Sequence, residues 1–202
     1  EIPLRLVGSE MCIRDSIYYR QGIYGKAMER YMSSLQICEE DNLERELSTL
    51  YKNIGNVYSM FHDFDQSSAL YKKSLALARK FKDYALENMA LNNLIFAYTD
   101  KTPLSQYRRW QQEMLVHPEK RVRYDYDVFM TEAQVLIYER QPRKAIAVLR
   151  KAVDYCLKHH LQPISLASSY GTMSAIFLQL GQRDSALVYE LRNQQIAKET
   201  GN

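Results

Sequence analysis

The sequence predicts an all-α protein built from antiparallel helix pairs repeated along the chain, an α-solenoid. Three observations predict it. A pattern of large and small residues at helical spacing returns about every 40 residues. Only 7 Gly and 5 Pro leave little turn chemistry for a many-stranded β protein. Prolines at 103, 118, 142 and 163 fall where the repeat places helix starts or joints, positions that tolerate proline. A hydrophobic content of 46% and a charged content of 25% over 202 residues exclude wholesale disorder. No apolar run approaches the roughly 20 residues of a membrane span.

Residues 1–16 stand apart from the rest. The run Leu6-Val7-Gly8-Ser9-Glu10-Met11-Cys12-Ile13-Arg14-Asp15 is the in-frame translation of the adapter used in transposase-based sequencing libraries. Primer and index bases account for Glu1 to Arg5, and Ser16 needs a single gene-derived base. The segment reads as a library scar and is set aside from fold reasoning. Two expectations follow: the natural protein starts before Ile17, and the carboxyl end is a read or contig boundary. Without the scar, 25 Lys and Arg face 21 Asp and Glu, a mild +4.

A stub over 17–22 precedes a helix over 24–39 marked by Tyr24, Ala27, Tyr31 and Ser34. Helices over 44–62 and 64–81 carry the clearest copy: Tyr51-x2-Ile54-Gly55-x2-Tyr58, then Phe64, Ser67, Tyr71 and Ser74. The anchors Ala27, Ser67, Ala145 and Ala186 are 40, 78 and 41 residues apart. The long interval is two periods, so a degenerate copy sits near Gln106, with helices over 84–99 and 104–116. Helices over 119–140 and 143–160 carry Phe129, Ala133, Leu136, Ala145, Leu149 and Ala152. Helices over 163–180 and 183–199 carry Tyr170, Met173, Ser174, Phe177, Gly181 and Ala186. The copies span 17–42 (partial), 44–82, 84–117, 119–160 and 163–202, about four and a half repeats. Small residues such as Gly55, Ser67 and Ser74 let paired helices approach, and Tyr58 and Tyr71 fill the space between repeats. One pair cannot bury both its faces, so the pairs must stack.

These anchors resemble the tetratricopeptide repeat, with its W-x2-L-G-x2-Y helix A and small-residue helix B. The period is about 40 rather than 34, which is the long-helix variety. Phe, Tyr and Leu replace the signature Trp, and no copy ends in the helix-stopping Pro. The resemblance implies a right-handed superhelix whose A helices line a concave groove. It places Thr49, Lys52, Asn56 and Ser59 in that groove, and later Asp127, Met130, Gln134 and Ile137. Lys52 and Asn56 share one face at i, i+4 and match half of the clamp with which some tetratricopeptide domains hold a peptide carboxylate. Met130 and Gln134 stand where the clamp needs cations, so the full clamp is absent. Asn56 has two readings, a ligand contact or a hydrogen bond between repeats.

Cys38 and Cys156 each lie eleven residues after an anchor, where Ala78 and Ala197 stand in other copies, so both read as small buried packing positions. His62, His117, His159 and His160 match no zinc pattern. There is no phosphate-cradling glycine loop, no HExxH and no Ser-His-Asp arrangement. The sequence therefore suggests neither a cofactor nor catalysis. Between 101 and 123, six cations (Lys101, Arg108, Arg109, Lys120, Arg121 and Arg123) face Glu113 and Glu119. Tyr107, Trp110 and Tyr124 lie among them. A cationic and aromatic surface suits an acidic protein partner, or secondarily nucleic acid. Its alternative is a solvated face on the degenerate repeat, with Trp110 in the core.

The segments N-I-G-x-x-Y and Y-x-K-S-L-x-L-A resemble those in regulators of Bacteroidota. That resemblance implies a module that binds a protein or peptide in its groove, within a larger signalling or transcription-regulatory protein. A membrane span and an output domain would then follow it. The alternative is a freestanding adaptor. Gly201-Asn202 corresponds to the turn at Asp41-Asn42, so the final helix should leave an apolar end face.

Overall fold

A computed structural model describes residues 17–118 and 122–200 of the chain. The chain divides after His117 into two compact units. The first holds a helical stub at 17–20, then α1 (Tyr24–Glu40), α2 (Glu44–Met60), α3 (Phe64–Lys80), α4 (Tyr84–Phe96) and α5 (Leu104–Met114). The second holds α6 (Val122–Tyr138), α7 (Pro142–Lys158), α8 (Pro163–Gln179) and α9 (Arg183–Thr200). Within each unit a helix packs chiefly on the helix before it and the helix after it. No described helix is long and apolar enough to cross a membrane.

The period follows from the elements. α2 and α3 each have 17 residues, and three residues join α1 to α2, α2 to α3 and α3 to α4. Two such helices with two such turns make up the 40-residue repeat. Seven of the joints turn on one residue in the left-handed region: Gly22, Asn42, His62, Lys82, Arg140, His160 and Gly181, with φ between 51° and 74°, whereas the α4–α5 loop has none. The next amide donates back to a carbonyl five residues earlier, as in Leu43 to Cys38 at 2.8 Å, Asp83 to Ala78 at 2.9 Å and Gln182 to Phe177 at 2.9 Å. This is the Schellman closure of a helix C-terminus. At two joints the next residue also opens the following helix. Asp63 and Asp83 accept from the amides of Gln66 and Leu86 at 3.1 and 3.0 Å, each cap contributing about 1 kcal/mol.

The large and small pattern is the core. Ala27, Tyr31, Leu50, Ile54 and Val57 are at most 2% exposed in the first unit, as are Ala133, Ala145, Leu149, Ala152 and Met173 in the second. Ser67 and Ser74 are fully buried where the helices of the first unit meet. There the Ser48 hydroxyl of α2 donates to the Ser74 carbonyl of α3 at 2.9 Å.

The third copy differs most from expectation. α4 has 13 residues and α5 has 11, and α4 stops at Phe96 rather than near 99. The loop after it is held by the Tyr107 hydroxyl, which accepts from the Thr99 amide at 2.9 Å and donates to the Thr99 carbonyl at 3.2 Å. Pro103, with ψ at 144°, starts α5. In the second unit Pro142 and Pro163 occupy the first turns of α7 and α8. Leu187, Val188 and Leu191 form an exposed apolar stripe on α9, half or more open to solvent in two of the three cases. Residues 1–16, Lys120 and Arg121, and the Gly201-Asn202 turn lie outside the described residues.

Candidate functional site

Lys52, Asn56 and Ser59 follow one another at helical spacing on α2, and all three are half-buried. Asn56 Oδ1 accepts from the Tyr71 hydroxyl of α3 at 2.9 Å and from Asn93 Nδ2 of α4 at 2.9 Å. Tyr71 is 3% exposed. Burial pushes its phenol up, with Tyr19 adding to the rise and the Ser59 hydroxyl opposing it. The acceptor side of Asn56 is therefore committed to the fold and ties the A helices of two successive repeats together. Its donor side is not. Asn56 Nδ2 has no hydrogen-bond partner among the described residues, which leaves both its N–H groups for a ligand carbonyl.

In the second unit Asp127, Gln134 and Ile137 are half-buried on α6. The Arg123 guanidinium donates to Asp127 at 2.9 Å. Gln134 makes no hydrogen bond among the described residues. Met130 corrects the sequence reading. It is 7% exposed and packs with Ala133, Leu149 and Met173, and Ser169 Oγ donates to its sulfur at 3.6 Å. Tyr126, Met130 and Ala133 are four and three residues apart on one helical face, and that face is the core. A groove position for Met130 fails on this geometry.

The basic stretch is described only in part, since Lys120 and Arg121 lie outside the described residues. Its aromatic residues are buried: Tyr107 is 0% exposed, Trp110 6% and Tyr124 5%. Trp110 stands edge-on to Tyr107 at 5.4 Å, so the core reading of that indole is the one the fold adopts. Lys101, Arg108 and Arg109 belong to the first unit and Arg123 to the second. Lys101 pairs with Asp65. Arg109 pairs with Glu113, which also binds Arg79, and Arg79 in turn binds Glu87, each at 2.8 Å. Burial works against the Arg79 charge, but hydrogen bonds to Glu87 and Glu113 outweigh it and raise its pKa. Arg123 donates to Ser165 Oγ at 2.7 Å and lies 4.7 Å from the Tyr126 ring centre. Lys101 and Arg109 make these pairs at the surface, where both stay largely exposed.

Cys38 and Cys156 are free thiols, 2% and 1% exposed. Burial pushes both pKa values up, that of Cys156 to about 11, which disfavours the reactive thiolate. Among the described residues no group of three or more His, Cys, Asp and Glu is placed to hold a metal ion.

Hollows on the described surface include one in each unit. In the first unit a shallow depression of ≈ 600 Å³ is lined by Phe61, Asp63, Phe64, Asp65, Tyr98 and Asp100 among others. In the second, a pocket of ≈ 230 Å³ lies among α7, α8 and α9, with Arg150, Asp154, Tyr170, Tyr189 and Arg192 in its wall. Sequence reasoning missed the second. A signal was present, because Arg150, Tyr170 and Tyr189 are 20 and 19 residues apart, close to the length of one helix and one turn.

The tetratricopeptide repeat family model matches residues 16–80. Among curated proteins, the response regulator aspartate phosphatase A of Bacillus subtilis (strain 168) is 23% identical over 151 residues, covering 74% of this chain and 38% of its own. The chain thus spans well under half of that relative. Among solved structures, a Rap protein complexed with competence and sporulation factor superposes with a TM-score of 0.79 at 14% identity. That match covers 94% of this chain and 53% of the Rap chain. The nearly identical repeats of a putative kinesin light chain from Podosopora anserina superpose with a TM-score of 0.59 at 16% identity, covering all of this chain and 98% of theirs. Likeness at these identities establishes the fold.

Proposed function

We propose that this tetratricopeptide-repeat chain is a non-catalytic interaction module that binds an extended peptide or protein segment along its A helices. Asn56 carries the reading. Its Oδ1 is held by Tyr71 and Asn93, so the side chain is fixed, while Nδ2 keeps two donors without a partner among the described residues. A fixed amide with open donors bonds the carbonyls of any extended backbone, which is sequence-tolerant recognition. The raised thiol pKa values direct the reading away from nucleophilic chemistry at Cys38 and Cys156.

The module serves as the sensory or scaffolding part of a larger bacterial signalling or transcription-regulatory protein. Support comes from the solved Rap protein complexed with competence and sporulation factor and from the curated response regulator aspartate phosphatase A.

The test is a random-decapeptide library panned on the chain, with the retained peptides titrated against Asn56→Asp. Aspartate keeps the oxygen that Tyr71 and Asn93 require and removes the two donors. The expected result is an unchanged melting temperature with affinity weakened about tenfold. Failure to retain any peptide, or affinity unchanged in Asn56→Asp, would overturn the reading.

A further inference from the structure

The pocket of the second unit is built for an anionic group. Arg192 of α9 lies 5.7 Å from the Tyr170 ring centre and 5.5 Å from that of Tyr189. A guanidinium resting on aromatic faces keeps its in-plane N–H donors directed outward and loses little further freedom when they bind. Arg150 of α7 stands in the same wall and has no ion-pair partner among the described residues. Asp154, one turn along the same helix, is equally unpaired. Tyr170 adds a donor to the two guanidinium groups. It is 9% exposed, it lines the pocket, and its hydroxyl has no hydrogen-bond partner among the described residues. The ring is buried while the hydroxyl stays open to the pocket, where it can donate to a ligand oxygen. Val153 and Met173 supply the apolar part of the lining.

We propose that this pocket binds a carboxylate, delivered by an aspartate or glutamate side chain of a protein segment. Charge selects the carboxylate. Two arginines and one aspartate give the wall a net +1, which a single carboxylate neutralises. A phosphoryl group carries close to two charges and would meet Asp154 with its second. The size agrees as well: ≈ 230 Å³ admits one acidic side chain and excludes a folded element. The site shares no residue with the row around Asn56, so an extended peptide and an acidic side chain occupy different places. Asn56→Asp leaves this pocket untouched, and the two readings fail separately.

The probe is N-acetyl-glutamate N-methylamide, followed through the arginine Nε resonances of the whole chain. N-acetyl-glutamine N-methylamide is the uncharged control and inorganic phosphate the competing oxyanion. Saturable shifts at Arg150 and Arg192 with the glutamate probe, and none with the glutamine control, are expected. Arg192→Gln should weaken binding about tenfold. Asp154→Asn removes the like charge, so it should tighten binding several-fold while leaving the fold intact. Unmoved arginine resonances, or affinity unchanged in Arg192→Gln, overturn the site. Tighter binding of phosphate than of the glutamate probe overturns the choice of carboxylate.

Discussion

Gly55 lies directly beneath the ring of Tyr71. A Cβ at Gly55 would stand 2.7 Å from Tyr71 Cε1 and 2.9 Å from Cδ1, closer than side-chain carbons approach. The ring cannot swing away, because Tyr71 is 3% exposed and its hydroxyl is bonded to Asn56. Mid-helix glycine normally costs about 1 kcal/mol relative to alanine, yet here the missing Cβ is what lets α2 and α3 meet. Gly55→Ala should therefore lower stability by about 1–3 kcal/mol. Gly171, inside α8, is the control. A Cβ there meets only Asn193 Nδ2 at 3.7 Å, ordinary contact, so Gly171→Ala should stabilise by up to about 1 kcal/mol. Urea midpoints of the two variants should move in opposite directions.

The paired hydrogen bonds on Asn56 can be separated by substitution. Asn56→Ala strands the buried Tyr71 hydroxyl and should cost about 1–3 kcal/mol. Adding Tyr71→Phe removes the stranded group, so the double variant should regain part of that loss. A double-mutant cycle in denaturant measures the coupling, and additive losses would show that the bond contributes nothing.

Five of the seven left-handed joint residues carry side chains: Asn42, His62, Lys82, Arg140 and His160. The left-handed region costs a residue with a Cβ about 1–2 kcal/mol, against a smaller entropic cost for glycine. Lys82→Gly and Arg140→Gly should each raise the melting temperature, by up to about 1 kcal/mol in stability. Gly181→Ala should lower it. A fall in both glycine variants would mean the side chains make contacts that offset the backbone strain.

Cys156 makes stability depend on alkaline pH. Its folded pKa of about 11 lies above the ordinary thiol value of 9.0, so the native state holds this proton more tightly than the unfolded chain. The contribution is complete below pH 9 and is lost as pH rises from about 9 to about 11. Tyr155, raised to about 12 by burial and by its bond to Asp125, extends the loss upward. Urea midpoints between pH 8 and 11 should fall, and Cys156→Ala should flatten the lower part of that fall. At pH 8 Cys38 and Cys156 should resist iodoacetamide until denaturant is added.

Periodic features were readable from the chain because every copy restates them. The small positions at Ala27, Ser67, Ala145 and Ala186, the proline joints and the two small-packing cysteines all repeat. Features unique to one copy were not. Trp110 packs edge-on to Tyr107, whose hydroxyl anchors the Thr99 loop, a contact without counterpart at the other described joints. Met130 and Gln134 are four residues apart on one helix, yet one is in the core and the other half exposed, because the buried face of α6 runs through Tyr126 and Ala133. Asn56 was open to two readings because an amide has an acceptor side and a donor side. The fold commits the first and leaves the second.

Within each unit, packing of a helix on its neighbours in sequence also sets how that unit forms. Loops that close over a few tens of residues carry a small entropic barrier, so low contact order favours folding in microseconds to milliseconds. Growth can nucleate at any well-packed pair and spread outward. The pair α2–α3, with its capping aspartate and the Gly55 approach, is the natural starting point in the first unit. Amide hydrogen exchange should accordingly be slowest near Ile54 and Tyr71 and quicken toward α1 and α5, a gradient of protection along the first unit rather than a single value.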